Sequence, residues 1–311
     1  MKKTLAVLLA FVMIFLFAAC NKTAETALVI EGVEINSEIF SYYLSKVVSR
    51  PADYGLEANA SKDELKEAAI DECKRYLFSN TSFIEKGLSL TASDKVEISQ
   101  TVNDYWLRFE NHYNEIGVSK QTLTKVITAS VYKDALFSAE YDKGTGNAAS
   151  EKILQDYFYE NYISFRSVCI YYTAADGKTN MTELEKVQLL EAVNSIAAEP
   201  GEDAEAFSQT VQNAGYTLSA SSVLKRDSGT YPDGFYEKVE EQAENTVQVI
   251  TYDECVFMVW KENLKDKGES VYANYRSACI NDLYFEEYEN TVSEKLDSYS
   301  VEEKSIVNKM I

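Results

Sequence analysis

Few residues in this sequence could do acid–base, metal or nucleophilic chemistry, and their spacing narrows the options further. His112, in Glu110-Asn111-His112-Tyr113, is the one histidine among 311 residues. A lone imidazole can titrate near neutral pH, but it does not make a metal site, and a partly exposed helix position is the plain expectation. Cys73, Cys169, Cys255 and Cys279 stand far apart with no C-x-x-C pair. Neither zinc nor dithiol redox chemistry is supported, and packed thiols are expected. Carboxylates cluster at Glu286, Glu287 and Glu289 and at Glu240, Glu241 and Glu244. These could hold a cation, but without an Asp-x-Asp-x-Asp-Gly loop they read as solvated helix faces. Nucleophile-elbow, phosphate-loop and His-Glu-x-x-His motifs are absent. No cofactor and no metal is expected.

The remaining cysteine, Cys20, carries a sharper signal. Lys2 and Lys3 precede 15 apolar residues, Leu5 to Ala19. That run is short of the roughly 20 residues a membrane-spanning helix needs and has the character of an export signal. It ends in Phe17-Ala18-Ala19-Cys20, which resembles the bacterial lipobox, with Phe17 where an aliphatic residue is usual. Small residues suit the peptidase, and the thiol takes the diacylglycerol. Residues 1–19 are therefore expected to be a signal peptide, Cys20 the lipidated residue, and 20–26 a tether that includes it and reaches at most roughly 20 Å. Diacylglycerol supplies the two chains that firm anchoring takes. The expected location is extracytoplasmic, lipid-anchored to the bacterial cell membrane.

The formal charge is −20, and loss of Lys2 and Lys3 takes it to −22. Such a surface repels phosphate backbones, so no nucleic-acid partner is expected. It also repels anionic headgroups, which leaves membrane association to the lipid on Cys20. Hydrophobic residues make up 46% and charged residues 26%, with 3 Pro and 12 Gly. That composition is globular and favours helix, and the length allows two domains. The 22 Tyr supply rings that pack on one side and hydrogen-bond on the other.

The elements that would position these residues are mostly helices. Ala27–Ile30 reads as a short strand, and Glu31-Gly32-Val33 as a turn. A helix follows, capped by Asn36 or Ser37, with Phe40, Tyr43, Leu44 and Val47 on one face and its end at Arg50-Pro51. Ser61-Lys62-Asp63-Glu64 is a capping box for a second helix striped by Leu65, Ala69, Cys73 and Leu77. A third, Thr91 to Ile116, turns Val102, Tyr105, Trp106 and Phe109 inward. A fourth, Ser119 to Asp142, turns Leu123, Val126, Ile127, Val131 and Leu136 inward and breaks at Gly144 and Gly146. A fifth, Ser150 to Tyr162, buries Ile153, Leu154, Tyr157 and Phe158. The pattern then changes. Phe165–Tyr172 and Val247–Trp260 are β-rich, with helices near 182–198 and 204–213 and turns between them. From Glu269 onward the chain reads as helix, its stripe of Val271, Tyr275, Ala278 and Leu283 expected to pack on the N-terminal helices.

Three stretches together resemble the SurA/PrsA-like foldases, which join a helical chaperone domain to a parvulin-type prolyl isomerase domain. The first is Ala27-Leu-Val-Ile-Glu-Gly32-Val-Glu-Ile35-Asn-Ser37-Glu-Ile-Phe40-Ser-Tyr-Tyr-Leu44, similar to the family's opening strand, Gly turn and Phe-bearing helix. The second is Leu154-Gln-Asp-Tyr157-Phe-Tyr-Glu160-Asn161-Tyr-Ile-Ser-Phe165, similar to the linker into the first parvulin strand. The third is the α+β stretch, with Phe207 in a helix, Pro232 and Phe235 before another, and the closing strand Cys255-Val-Phe-Met-Val-Trp260. The resemblance implies an α+β fold. A mainly helical chaperone-like domain at 27–162, completed by the 265–311 helix, carries an inserted parvulin-like antiparallel sheet domain at 163–262. It also implies a membrane-anchored chaperone or foldase whose partners are unfolded or nascent secreted polypeptides.

Parvulins similar to this chain carry two His on adjacent central strands, with a Met, a Phe and a Cys or Asp around the proline pocket. The resemblance places the His positions at Val168 and Val256, the Met at Tyr231 and the Phe at Phe235, and finds no Cys or Asp match within 212–215. Twisting an X-Pro amide means crossing a barrier of roughly 18–20 kcal/mol, and two valines offer it no hydrogen bond. These four residues are therefore read as a degenerate pocket without catalysis. A one-residue slip would put Cys169 or Cys255 in the pocket instead. Pairing Val168 with Val256 would also set Cys169 opposite Cys255, within disulfide reach and on the face away from the pocket, oxidised or not. Tyr157, Tyr171 and Phe235 are the peptide-binding candidates. Tyr42, Tyr43, Tyr159, Tyr162 and Tyr172 extend an aromatic surface that reads as client cradle or as packing. The rival functions are an active prolyl isomerase with a rearranged pocket and a structural or assembly lipoprotein.

Overall fold

Local caps and tight turns set the element borders in the computed structural model, which describes residues 24–142, 145, 147–174, 177–199 and 203–311. The signal run, Cys20, Gly144 and Gly146 lie outside the described residues. The chain forms two compact units, one spanning 149–283 and the other made from the residues on either side, up to 148 and from 284 on. The unit around the larger sheet is thus wider than the 163–262 stretch.

The discontinuous unit opens with a hairpin of β1 (Thr26–Ile30) and β2 (Val33–Asn36). Glu31 and Gly32 both have positive φ, 50° and 78°, the geometry a two-residue hairpin turn needs. Asn36 then caps α1 (Ser37–Ser49), its side-chain oxygen accepting from the Ile39 amide at 2.9 Å. Capping boxes at Ser61/Glu64 and Thr91/Asp94 start α2 (Lys62–Glu85) and α3 (Ala92–Glu115), and Ser119 caps α4 (Lys120–Tyr141). The core joins Leu28, Ile30, Phe40, Val47, Ala69, Cys73 and Leu123. Two short strands break the expected pattern. β2 follows the Gly turn, and β7 (Val301–Glu303) interrupts the helical C-terminal region to pair antiparallel with β1, giving the order β2-β1-β7. Three- and four-residue strands carry too little period-2 signal to stand out.

The second unit comprises α5 (Glu151–Asn161), β3 (Tyr162–Tyr171), α6 (Glu183–Ala197), α7 (Ala204–Asn213), β4 (Ser222–Lys225), α8 (Phe235–Glu241), β5 (Val247–Thr251) and β6 (Cys255–Glu262). Its sheet is antiparallel throughout, in the order β4-β3-β6-β5. Side chains alternate between faces. Val168, Val256, Met258 and Trp260 pack with Val193 of α6 and with Phe207 and Val211 of α7. The other face carries Ile163, Phe165, Cys255, Phe257 and Val259 against Phe235, Tyr236 and Val239 of α8.

The long helix α9 (Glu269–Asp297) contributes residues to both units. Its first half packs on α5: the Tyr272 hydroxyl and Arg276 Nε donate to Glu151 at 2.9 and 2.8 Å. Its second half packs on α2 and α4, with Phe137 5.3 Å from the Tyr288 ring and Arg75 donating to Glu289 at 2.9 Å. The buried stripe is Tyr272, Cys279, Ile280, Tyr288, Val292 and Leu296, rotated from the expected Val271, Tyr275, Ala278 and Leu283. Three other expected inward residues face solvent. Ile153 is half-exposed, because Leu154 and Phe158 define the buried face of α5. Tyr105 and Phe109 are also exposed, and Phe109 has non-helical angles (φ −127°, ψ 18°) that break the phase of α3.

The register of the central pair corrects one expectation. Val168 lies opposite Met258 and Val256 opposite Ile170, while Cys169 faces Phe257 and Cys255 faces Tyr171. The offset is two residues. Alternation fixes only which face a side chain takes, so a shift of two leaves every face assignment intact while changing every partner. Cys169 and Cys255 are diagonal neighbours on one face, and all four described cysteines are free thiols.

Candidate functional site

The pocket positions divide between the two faces of the larger sheet. Val168 and Val256 are buried beneath α6 and α7, where each contributes roughly 1.5–3 kcal/mol of apolar stabilisation. Tyr231 and Phe235 sit on the opposite face. The strand residues that share their face are Ser167, Cys169 and Tyr171 of β3 with Cys255 and Phe257 of β6. Cys169 and Cys255 therefore share the face of Tyr231 and Phe235, and Val168 and Val256 lie on the other.

Together with Ser219, Tyr252 and the loop around Pro232, these residues line an open groove of about 870 Å³. Its floor is aromatic. The Tyr231 ring stacks on Phe235 at 4.3 Å and 18°, and Phe235 meets Phe165 at 5.3 Å and Phe257 at 5.1 Å edge-on. Gly234, at φ +72°, turns the chain into α8, and the Phe235 amide donates to the Pro232 carbonyl at 3.0 Å. That turn drives Phe235 inward. At 1% exposure Phe235 supports the floor rather than touching a ligand. Tyr171, 62% exposed, stands at the rim, while Tyr157 of α5 does not line the groove.

The Cys169 thiol and the Tyr231 phenol of the groove are poor acids at neutral pH. The Cys169 thiol is pushed up to about 11, first by burial and then by its hydrogen bond and proximity to Cys255. Tyr231 is raised by burial and by Cys169, against the pull of a hydrogen bond with Ser167. Neither supplies a thiolate or phenolate near pH 7. Asp253 and Glu254 also line the groove, and it holds no imidazole among its lining residues. Such a surface can bind an apolar or prolyl side chain by dispersion and desolvation.

The helical unit has its own cleft, of about 670 Å³. Tyr42, Tyr43 and Tyr113 are buried and form a firm wall, with Tyr42 stacked on Tyr113 at 6.4 Å and Tyr113 on Trp106 at 5.9 Å. Tyr105 and Phe109, 41% and 49% exposed, edge the opening. His112 lies here, its Nε2 2.8 Å from Ser45 Oγ. Glu72 lines the cleft with its pKa raised by burial, against the opposing pull of Lys46, Arg75 and Lys133. Sequence reading placed Tyr42 and Tyr43 on a possible client surface but missed Tyr105 and Phe109. The available signal was two rings one helical turn apart beside Arg108 in a strongly acidic chain.

The fold and these two sites define a mainly helical α+β protein, a helical unit with one aromatic cleft and an antiparallel sheet unit with another. The chain is similar to the foldase protein PrsA of Streptococcus pneumoniae, at 13% identity over 82% of this chain and 86% of that chain, with a TM-score of 0.37. It is similar also to the PrsA foldase of Lactococcus lactis, at 11% identity over 91% and 96%, TM-score 0.40. A SurA-like chaperone of Campylobacter jejuni aligns at 10% identity over 90% and 99%, TM-score 0.29. No protein-family description and no curated protein matches the sequence.

Proposed function

We propose that this protein is a membrane-anchored extracytoplasmic chaperone or foldase that binds unfolded secreted polypeptides and does not catalyse prolyl isomerisation. The observation that carries the reading is the open cleft of the helical unit, where exposed Tyr105 and Phe109 stand before a wall of buried tyrosines. Exposed apolar surface set in a concave, rigid frame is what an unfolded segment can use. The groove beside Tyr231 and Phe235 offers a second apolar surface without an imidazole. Anchoring rests on the Phe17-Ala18-Ala19-Cys20 motif; among the described residues no helix is long and apolar enough to cross a membrane. The test is aggregation of a reduced, unfolded secreted protein followed by light scattering. Substoichiometric to equimolar protein should suppress it, and Tyr105→Ser/Phe109→Ser should weaken the suppression while leaving the unfolding midpoint nearly unchanged. Scattering unaffected by the parent protein would refute client binding and favour a structural or assembly role.

A further inference from the structure

The cleft of the helical unit has an electrostatic character opposite to that of the chain around it. Acidic residues outnumber basic ones by 50 to 30 overall. Yet the cleft is lined by Lys46, Arg50, Arg75, Arg108 and Lys133, with Glu72 as its one carboxylate. Some of this charge is matched. Arg75 lies 2.9 Å from Glu289 and 4.0 Å from Glu72, Lys133 lies 3.2 Å from Glu289, and Arg50 lies 3.3 Å from Asp53. Among the described residues, three of the five cations thus share three carboxylates at ion-pair distance. Among the described residues the Lys46 and Arg108 side chains form no ion pair or hydrogen bond; the Lys46 ammonium lies 5.8 Å from the Tyr42 ring centre and pulls on Glu72 from longer range.

We propose that this cleft selects client segments in which carboxylates alternate with aromatic or large apolar side chains, the carboxylates meeting Lys46 and Arg108 and the apolar groups meeting Tyr105 and Phe109. The inference rests on the client-binding reading and names the chemistry of the client. Charge complementarity identifies the occupant. A short peptide with two or three carboxylates feels the local cations, because charges beyond about 10 Å are screened at ordinary salt. A polyphosphate chain reaching beyond the cleft would also meet the repulsion of a chain with a formal charge of −20, and it has no apolar groups for the exposed rings. Arg108 can hold a carboxylate through two parallel N–H donors.

The experiment uses the full chain and three labelled, unstructured peptides of one length, alternating Phe with Glu, Gln or Lys, with binding read by fluorescence anisotropy. At about 0.1 M salt the Glu peptide should bind about five- to tenfold more tightly than the Gln peptide, the scale of two partly exposed ion pairs, and the Lys peptide most weakly. Lys46→Gln/Arg108→Gln should weaken the Glu peptide far more than the Gln peptide and so erase that order, and added salt should do the same. Equal binding of all three peptides by the parent, or an order that survives in the double variant, overturns the inference while leaving client binding intact. Inorganic polyphosphate that displaces the Glu peptide from the parent, but not from the double variant, at a lower concentration than unlabelled Glu peptide would reassign the cleft to polyanions. Failure of every peptide to bind would remove the client-binding reading and this inference together.

Discussion

Glu262 shows how much a single side chain settles. It is 5% exposed and accepts from Ser164 at 2.8 Å, from Arg166 Nε at 3.0 Å and from Ser221, with Lys267 Nζ at 2.7 Å. Burial alone would raise its pKa, but the Lys267, Ser221 and Ser164 donors together outweigh burial and hold it below the ordinary value of 4.5. A carboxyl lowered on folding stabilises the native state above its unfolded pKa, and that contribution fades as pH falls through the folded one. Urea unfolding should therefore show Glu262→Gln costing about 1–3 kcal/mol at pH 7 and losing part of the parent's decline below pH 4.5. A variant with the parent's acid limb would exclude this source. The groove yields a second expectation, since neither Cys169 nor Phe257 offers an imidazole: standard Xaa-Pro peptides should isomerise at the uncatalysed rate. Turnover abolished by Tyr231→Ala would show that the pocket is active. Cys20→Ala should leave unprocessed precursor or soluble protein in fractionation; wild-type processing and membrane retention would contradict lipidation. The place of Phe235 at the start of a helix was legible because its signal, Pro232 just before it, is local. Glu262 was not, because Ser164 and Ser221 reach it only through the sheet.

Helices were the legible elements. Asn36, Ser61, Thr91, Ser119 and Thr182 each cap where their local sequence says they should, because an N-cap is decided within four residues. Strands answer to distant partners. β2, β4 and β7 were invisible, and the β3–β6 register came out two residues from expectation although the parity of each face was readable. Val168 and Val256 belong to the face under α6 and α7, and the cysteines to the groove. The least visible strand, β7, makes a strong demand on stability. It pairs Val301 with Ile30, and the following Lys304 amide donates to the Ala27 carbonyl at 2.9 Å before Val307 is fully buried. Deleting residues 300–311 should lower the stability of the helical unit by roughly 2–4 kcal/mol, while amides of β3 and β6 keep their hydrogen-exchange protection. Unchanged protection in β1 would mean that β7 is dispensable.

At the scale of the molecule, the fold class followed from a switch in hydrophobic period, helical up to about residue 162 and strand-like soon after. The cationic cleft could not be read this way. Lys46, Arg75, Arg108 and Lys133 come one each from α1, α2, α3 and α4, and only the packed helices bring them together. The same discontinuity that hides the cleft orders events in time. The sheet unit is one continuous stretch of chain, whereas the helical unit joins β1, near its start, to β7 more than 270 residues later. Closing so long a loop is slow and raises the contact order. As a chain emerges from its amino end, β3 to β6 have all their partners well before β1 has its second neighbour. The first strand to appear is thus among the last to be completed, and its open edge persists through synthesis as an invitation to wrong pairing. A protein that this reading sets to guard other unfolded chains has, in its own assembly, an interval when it needs the same protection.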